Sequence, residues 1–85
     1  MSELEKLPNI GKTVAQQLED VGVHTAQELA DLGSRDAWLR IQANDPSACY
    51  NRLCALEGAI RGIRWHDLPA DLKADLKDFY QSHKL

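Results

Sequence analysis

The sequence is short of almost everything that builds catalytic, secreted or membrane-embedded proteins. Its 85 residues hold only two cysteines, three prolines and five glycines, and aromatic side chains make up 6%. No apolar run reaches ten uninterrupted residues, which excludes a transmembrane span. The opening Met1-Ser2-Glu3-Leu4-Glu5-Lys6 lacks the basic and then apolar regions of a signal peptide, so a cytoplasmic location and no membrane partner are expected. Cys49 and Cys54 fall in one segment that reads as helix. There, five residues at ~100° each set them about 140° apart around the axis, too far round to pair. Two free thiols suit a reducing compartment, and both read as small hydrophobes buried along an apolar stripe. Positive charge is also scarce: 10 Lys and Arg face 13 Asp and Glu, for a net −3. Such a balance excludes coating nucleic acid by bulk electrostatics, so any such role must rest on a local site.

Catalytic constellations are equally thin. His24, His66 and His83 stand far apart, none of them i,i+4 from another metal-type ligand, so no metal site is expected. Glu19-Asp20 and Asp71 with Asp75 fall on helix faces that should be solvated. No glycine-rich phosphate loop of the P-loop or dinucleotide type occurs, and Trp38 and Trp65 read as core anchors. A chain of this length buries only about 60–65% of its unfolded surface. The expectation is one domain over residues 1–85 that is no enzyme and holds no cofactor.

What the chain does have is helix punctuation. Ser2 with Glu5, Thr13 with Gln16 and Thr25 with Glu28 show capping-box spacing. Gly22 and Gly33 follow apolar-periodic stretches and read as left-handed C-caps. The pattern predicts a first turn at 2–6, a tight loop at 7–11, helices at 12–21 and 26–32, and a helix at 35–43 capped by Ser34. Asn44-Asp45-Pro46 is the main break, with Asp45 as N-cap and Pro46 in the first helical position. The longest helix is expected at 46–63, its stripe running through Cys49, Leu53, Leu56, Ile60 and Ile63. After Trp65-His66-Asp67-Leu68-Pro69, a last helix at 69–82 turns Leu72, Leu76, Phe79 and Tyr80 inward. Strand signals are nearly absent. The fold class is all-α, a small bundle of about five short helices.

Leu7-Pro8-Asn9-Ile10-Gly11 is the most unusual stretch. Pro8 ends the preceding turn, and Asn9 and Gly11 are residue types that adopt positive φ. A loop of this kind exposes backbone N–H groups, to which the following helix adds its own free N–H groups and dipole. Pro8, Asn9, Ile10, Gly11, Lys12 and Thr13 thus form a candidate phosphate nest. With Val14, Leu18 and Val21 on the inner face of the next helix, the run resembles a helix-hairpin-helix motif. Backbone amides of that motif hold DNA phosphates without reading sequence. Asn9 stands where the motif usually has its first Gly. The same hairpin also serves as a purely structural connector, and both readings stay open.

Further runs extend the likeness. Val21-Gly22-Val23-His24-Thr25 with Glu28-Leu29 and Leu32-Gly33, then Ala55-Leu56-Glu57-Gly58-Ala59-Ile60-Arg61-Gly62 and Trp65-His66-Asp67-Leu68-Pro69, join the hairpin in one pattern. Over residues 4–80 this pattern resembles the C-terminal domain of the TfoX (Sxy) family. In that family Pro-Asn-apolar-Gly is the ordinary hairpin, while many relatives place Pro and then Lys where this chain reads Lys12-Thr13-Val14. The resemblance implies a helix-hairpin-helix-like fold and a transcription-related role. Members are bacterial regulators of natural competence, regarded as helpers of the cyclic AMP receptor protein at certain promoters. DNA, or a transcription factor such as that receptor, are the partners it implies.

Charge is unevenly spread. Residues 1–34 carry two Lys against six acids, 35–64 carry five Arg against three acids, and 65–85 carry three Lys against four acids. Asp36 with Arg40 and Glu57 with Arg61 have the spacing of solvated helix pairs. Arg35, Arg52 and Arg64 are left without a helical partner and form a candidate face for nucleic acid or a protein, although Arg52 and Arg64 project about 120° apart on an ideal helix. Two functions compete: a regulatory binding module touching DNA phosphates through the hairpin, and a protein-interaction domain whose hairpin is structural.

Overall fold

Short helices joined by tight, residue-specific turns fix the course of the chain. The computed structural model describes residues 3–84. They form a 3-10 turn at Glu3–Lys6, then α1 (Lys12–Asp20), α2 (Ala26–Leu32), α3 (Ser34–Asn44) and α4 (Tyr50–Arg61). A second 3-10 turn at Trp65–Asp67 and the final α5 (Ala70–His83) complete the order, and no strand occurs among the described residues. The all-α expectation holds. None of these helices is long and apolar enough to cross a membrane. Ser2 of the first expected capping box lies outside the described residues.

Local chemistry explains the boundaries that agree with sequence. Thr25 Oγ1 accepts the Glu28 amide at 3.0 Å, and Glu28 Oε1 accepts the His24 amide at 2.9 Å. Together they close the start of α2 in near-capping-box form. Glu3 Oε1, from the first turn, also accepts the Ala26 amide at 3.0 Å. α1 ends in a Schellman turn, with Val23 N–H on Leu18 O (2.8 Å) and Gly22 N–H on Glu19 O (3.1 Å) around Gly22 at φ 90°. α4 ends the same way at Gly62 (φ 75°, ψ 25°), a stop that the expected 46–63 helix overran.

Other boundaries are corrected. Thr13 does not cap α1; Gly11 precedes that helix without a side-chain cap, and Gln16 donates instead to Asp20 at 3.0 Å. Gly33 has φ 89° but ψ 156°, which is not the left-handed helical conformation. Ser34 is the buried first residue of α3 and donates to Glu57 Oε1 at 2.5 Å. The largest correction concerns α4, which begins at Tyr50, so that α5, with 14 residues, is the longest helix. Asp45 is the C-cap of α3 and not the N-cap of α4, which is Cys49. The Asp45 carboxylate accepts the Ser47 amide (3.0 Å) and hydroxyl (2.5 Å), Gln17 Nε2 (3.0 Å) and Arg52 Nη1 (2.9 Å). The chain is thereby held in an Asx turn for four residues before it can helicise.

These partners, the Ser47 hydroxyl foremost and the Arg52 guanidinium next, lower the Asp45 carboxyl from 3.8 to about 2. A folded value below the unfolded one adds stability above pH 3.8 that is lost as pH falls toward 2. Wild type is therefore expected to melt above Asp45→Asn at neutral pH. The gap between the two melting temperatures should close in this acid window, as followed by circular dichroism. A gap that stays constant down to pH 2 would show that the turn draws nothing from the charge.

The core centres on Trp38, fully buried on α3. It meets Phe79 and Tyr80 of α5 edge-on at centroid distances of 6.1 and 5.7 Å, and donates Nε1–H to Cys49 O at 3.1 Å. Leu4, Leu18, Leu29, Ile41, Leu53, Leu56 and Leu76 fill the space around it. α4 is buried on more than its expected stripe: Cys54, Ala55, Gly58 and Ala59 are covered along with Leu53 and Leu56. Cys54 matches the expectation of a buried thiol, and burial pushes its pKa up; Cys49 does not, being exposed at the head of the helix. Trp65 is half-buried and packs against the core from its edge.

Candidate functional site

The loop at 7–11 leaves a single 3-10 turn and enters α1. Leu7 N–H donates to Leu4 O at 3.0 Å and Ile10 N–H to Leu7 O at 3.3 Å, so the backbone doubles back tightly. Ile10 is buried, Leu7, Pro8 and Asn9 are half-buried, and Gly11, Lys12 and Thr13 are exposed. The candidate nest therefore divides, its first part facing the protein and its last part facing solvent.

Asn9 explains the division. It has φ 68°, the only positive value at a non-glycine position among the described residues. Its side chain does more than tolerate that conformation. Nδ2 donates to Ile63 O at 3.0 Å and more weakly to Ala55 O at 3.4 Å, while Oδ1 accepts Trp65 N–H at 3.1 Å. One amide thus ties the hairpin to the end of α4 and to the turn that follows it. The tie requires Gly58, because a Cβ there would lie 2.5 Å from Asn9 Nδ2, 2.8 Å from Ile63 O and 3.2 Å from Trp65 N. Sequence reasoning missed Gly58, Ile63 and Trp65 as members of this joint. The signal was present, since a glycine inside an apolar helical run costs ~1 kcal/mol against alanine and marks a close approach.

Gly11 departs from expectation: at φ −90° and ψ −177° it is extended, not left-handed, and nothing lies within 4 Å of where its Cβ would be. Ala15 is the first residue of α1 whose N–H finds a helical acceptor, Gly11 O at 3.0 Å. The amides of Lys12, Thr13 and Val14 have no acceptor among the described residues. α2, α3 and α5 each carry a carboxylate in their first turn, Glu28, Asp36 and Asp71, whereas α1 and α4 carry none. Exposed Lys12 and Thr13 thus stand in the same first turn as free backbone donors and the positive end of the helix dipole, a set of groups suited to an anion.

The three arginines of the candidate face differ in their contacts. Arg52, read as unpartnered, forms an ion pair with Asp45 at 2.9 Å across the loop. Arg35 is half-buried, with its guanidinium carbon 5.9 Å from the Phe79 ring centre. Arg61 pairs with Glu57 at 2.6 Å as its spacing predicts. Burial raises the Glu57 carboxyl, but the Ser34 and Arg61 hydrogen bonds outweigh it and hold the group below its usual value. Arg40 turns from Asp36 to the Val21 carbonyl at 3.4 Å. The Arg64 side chain is exposed, with no partner among the described residues, while its carbonyl accepts the Asp67 N–H at 2.9 Å.

The same architecture recurs in two crystal structures from Listeria monocytogenes. One, a triclinic form of an uncharacterized protein, is 53% identical with a TM-score of 0.92 over 93% of this chain and 90% of that one. The other, a tetragonal form of a protein of unknown function, is 52% identical with a TM-score of 0.90 over 92% of this chain and 96% of that one. No curated protein matches the chain. The model of the TfoX C-terminal domain matches residues 1–80, which takes in the hairpin, the Gly58 joint and the Trp65 turn, and the chain belongs to that family.

Proposed function

We propose that this domain is a non-enzymatic regulatory binding module that touches the phosphate backbone of DNA at the start of α1. One observation carries the reading: α1 opens without a side-chain cap or first-turn acid, with Gly11, Lys12 and Thr13 all exposed beside its free amides. Contacts of this kind position a protein on a duplex and carry no base information. Membership of the TfoX C-terminal domain family supports a regulatory role. Such a site supplies few phosphate contacts, so binding should be weak, with a log–log salt slope of about −1 to −2.

Fluorescence anisotropy of a labelled duplex, titrated across a salt series, tests this. Saturable binding in the micromolar range at about 50 mM salt, weakened severalfold by Lys12→Glu, is the expected result. A flat titration at tens of micromolar protein would remove the DNA reading. A second reading has its own support, because the Asn9 amide is spent on Ala55, Ile63 and Trp65. On that reading the hairpin is a joint within a domain that binds a protein partner, such as a transcription factor, and Lys12→Glu leaves activity intact.

A further inference from the structure

Two helix starts stand four residues apart at the corner between α3 and α4. Asp45 Oδ1 accepts the Ser47 amide at 3.0 Å, the bond that an N-cap residue makes with the second position of its helix. Pro46 follows in the first helical position, and Ala48 N–H donates to Asp45 O at 3.0 Å, which closes a turn. The costly nucleus of a helix beginning at Pro46 is therefore in place. Cys49 then breaks it with φ −105° and ψ 171°, and becomes the N-cap of α4 without a side-chain cap bond. This second start is the poorer one. α4 has no acid in its first turn, and the amides of Tyr50, Asn51 and Arg52 have no acceptor among the described residues.

Three contacts oppose joining the two starts. Ala48 is buried in the core, only 4% exposed. Trp38 Nε1–H donates to Cys49 O at 3.1 Å. The Asp45 carboxylate is also held by Gln17 of α1 and Arg52 of α4, at 3.0 and 2.9 Å. That last hold is imperfect, because Gln17 Oε1 is buried with no hydrogen-bond partner, and such a group favours any rearrangement that hydrates it. Helix periodicity gives a further reason to rearrange. Leu53 and Leu56, both fully buried, lie four and seven residues on from Cys49, so a helix from Pro46 would turn Cys49 inward and Ala48 toward Arg52. The thiol that is now exposed would take the place of Ala48 in the core. Ala43 and Asn44, exposed at the end of α3, would absorb the shortening of the corner.

We infer that the α3–α4 corner is a two-state conformational device, in which α4 exchanges a short form starting at Tyr50 for a long form starting at Pro46. Ala48 and Cys49 change places in the core as it does so. The long form adds one helical turn, about 6 Å at 1.5 Å per residue. Control lies with the groups that hold Asp45, and Gln17 puts one of them on α1. A movement of α1 that withdraws Gln17 favours the long form and hides the Cys49 thiol. Nothing in this exchange requires a nucleic acid.

Amide hydrogen exchange and thiol alkylation of the whole chain separate the two forms. In the short form the amides of Tyr50, Asn51 and Arg52 exchange freely, and Cys49 is alkylated while buried Cys54 is not. Cys49→Leu, at a position that the short form exposes, is expected to protect these three amides. Their acceptors in the long form are the carbonyls of Pro46, Ser47 and Ala48. Ala48→Glu acts from the other side. It buries a carboxylate in the short form, whereas the long form gains a capping-box acid three residues after Asp45 and an i,i+4 partner for Arg52. The same amide protection is expected, with alkylation of Cys49 lost. Free exchange at 50–52 in Cys49→Leu would overturn the device, whether or not Ala48→Glu folds. So would a folded Ala48→Glu domain whose Cys49 is alkylated as fast as in the wild type.

Discussion

Asn9→Gly is expected to lower the melting temperature by about 8–24 °C, although glycine is the residue that relaxes most easily at positive φ. The opposing terms can be compared. Glycine at φ 68° relieves a backbone strain worth at most about 1 kcal/mol. Against this stand the bonds to Ile63 O and Trp65 N, at 3.0 and 3.1 Å, with a weaker third to Ala55 O at 3.4 Å. Each good bond contributes ~1 kcal/mol net, and a half-buried group left unpaired costs about 1–3 kcal/mol more. The bonds win by about 2–3 kcal/mol, which for a domain of this size is 4–8 °C per kcal/mol. Asn9→Asp sharpens the test, because it keeps the shape and loses the donors. At neutral pH its carboxylate would face the Ile63 and Ala55 carbonyls, and it should be less stable than the glycine variant. Thermal denaturation of the three proteins reads the order directly: wild type, then Gly, then Asp. A glycine variant at least as stable as wild type would mean that Asn9 serves only as a glycine substitute.

That contrast shows where the sequence was informative and where it was not. The bounds of α2 were legible because Thr25, Glu28 and Gly33 act within a few residues of one another. So was the all-α class, since the period-3.6 pattern needs no tertiary knowledge. The start of α4 was not, because Pro46 invites a helix that the Asx turn at Asp45 postpones. Arg52 and Gln17 hold that turn, and Gln17 comes from α1, 28 residues earlier. The missing pair of Asp36 and Arg40 has the same origin, a carbonyl on another element that outcompetes the i+4 neighbour. At the candidate site, the exposed donors at Gly11, Lys12 and Thr13 follow from local chain chemistry and were readable. The inward-turned Asn9 was not, because its three partners lie 46 to 56 residues away. Backbone propensity explains why asparagine is allowed there; long-range hydrogen bonding explains why it is used.

Gly58→Ala carries the second large effect, and its sign runs against helix propensity. Gly58 lies inside α4, where alanine is favoured by about 1 kcal/mol on propensity alone. A Cβ at this position would come within 2.5 Å of Asn9 Nδ2 and 2.8 Å of Ile63 O. The first neighbour could swing away by giving up its bonds. The second is backbone, and the Ile63 N–H bond to Gly58 O at 2.9 Å holds it in the Schellman turn. Relief therefore means opening the joint between hairpin and helix, for a net loss of about 2–3 kcal/mol, of the order of a disrupted core contact. Both substitutions break the same joint, so their costs should not add. In the Asn9→Gly background the nearest clash is gone while the one with Ile63 O remains. The double variant should then be about 1–2 kcal/mol more stable than the sum of the single losses, a coupling of the size seen for residues in contact. Chemical denaturation of the four proteins measures this cycle. Strict additivity would show that Gly58 and Asn9 act apart, and the hairpin would then owe its position to Ile10 and the core beneath it.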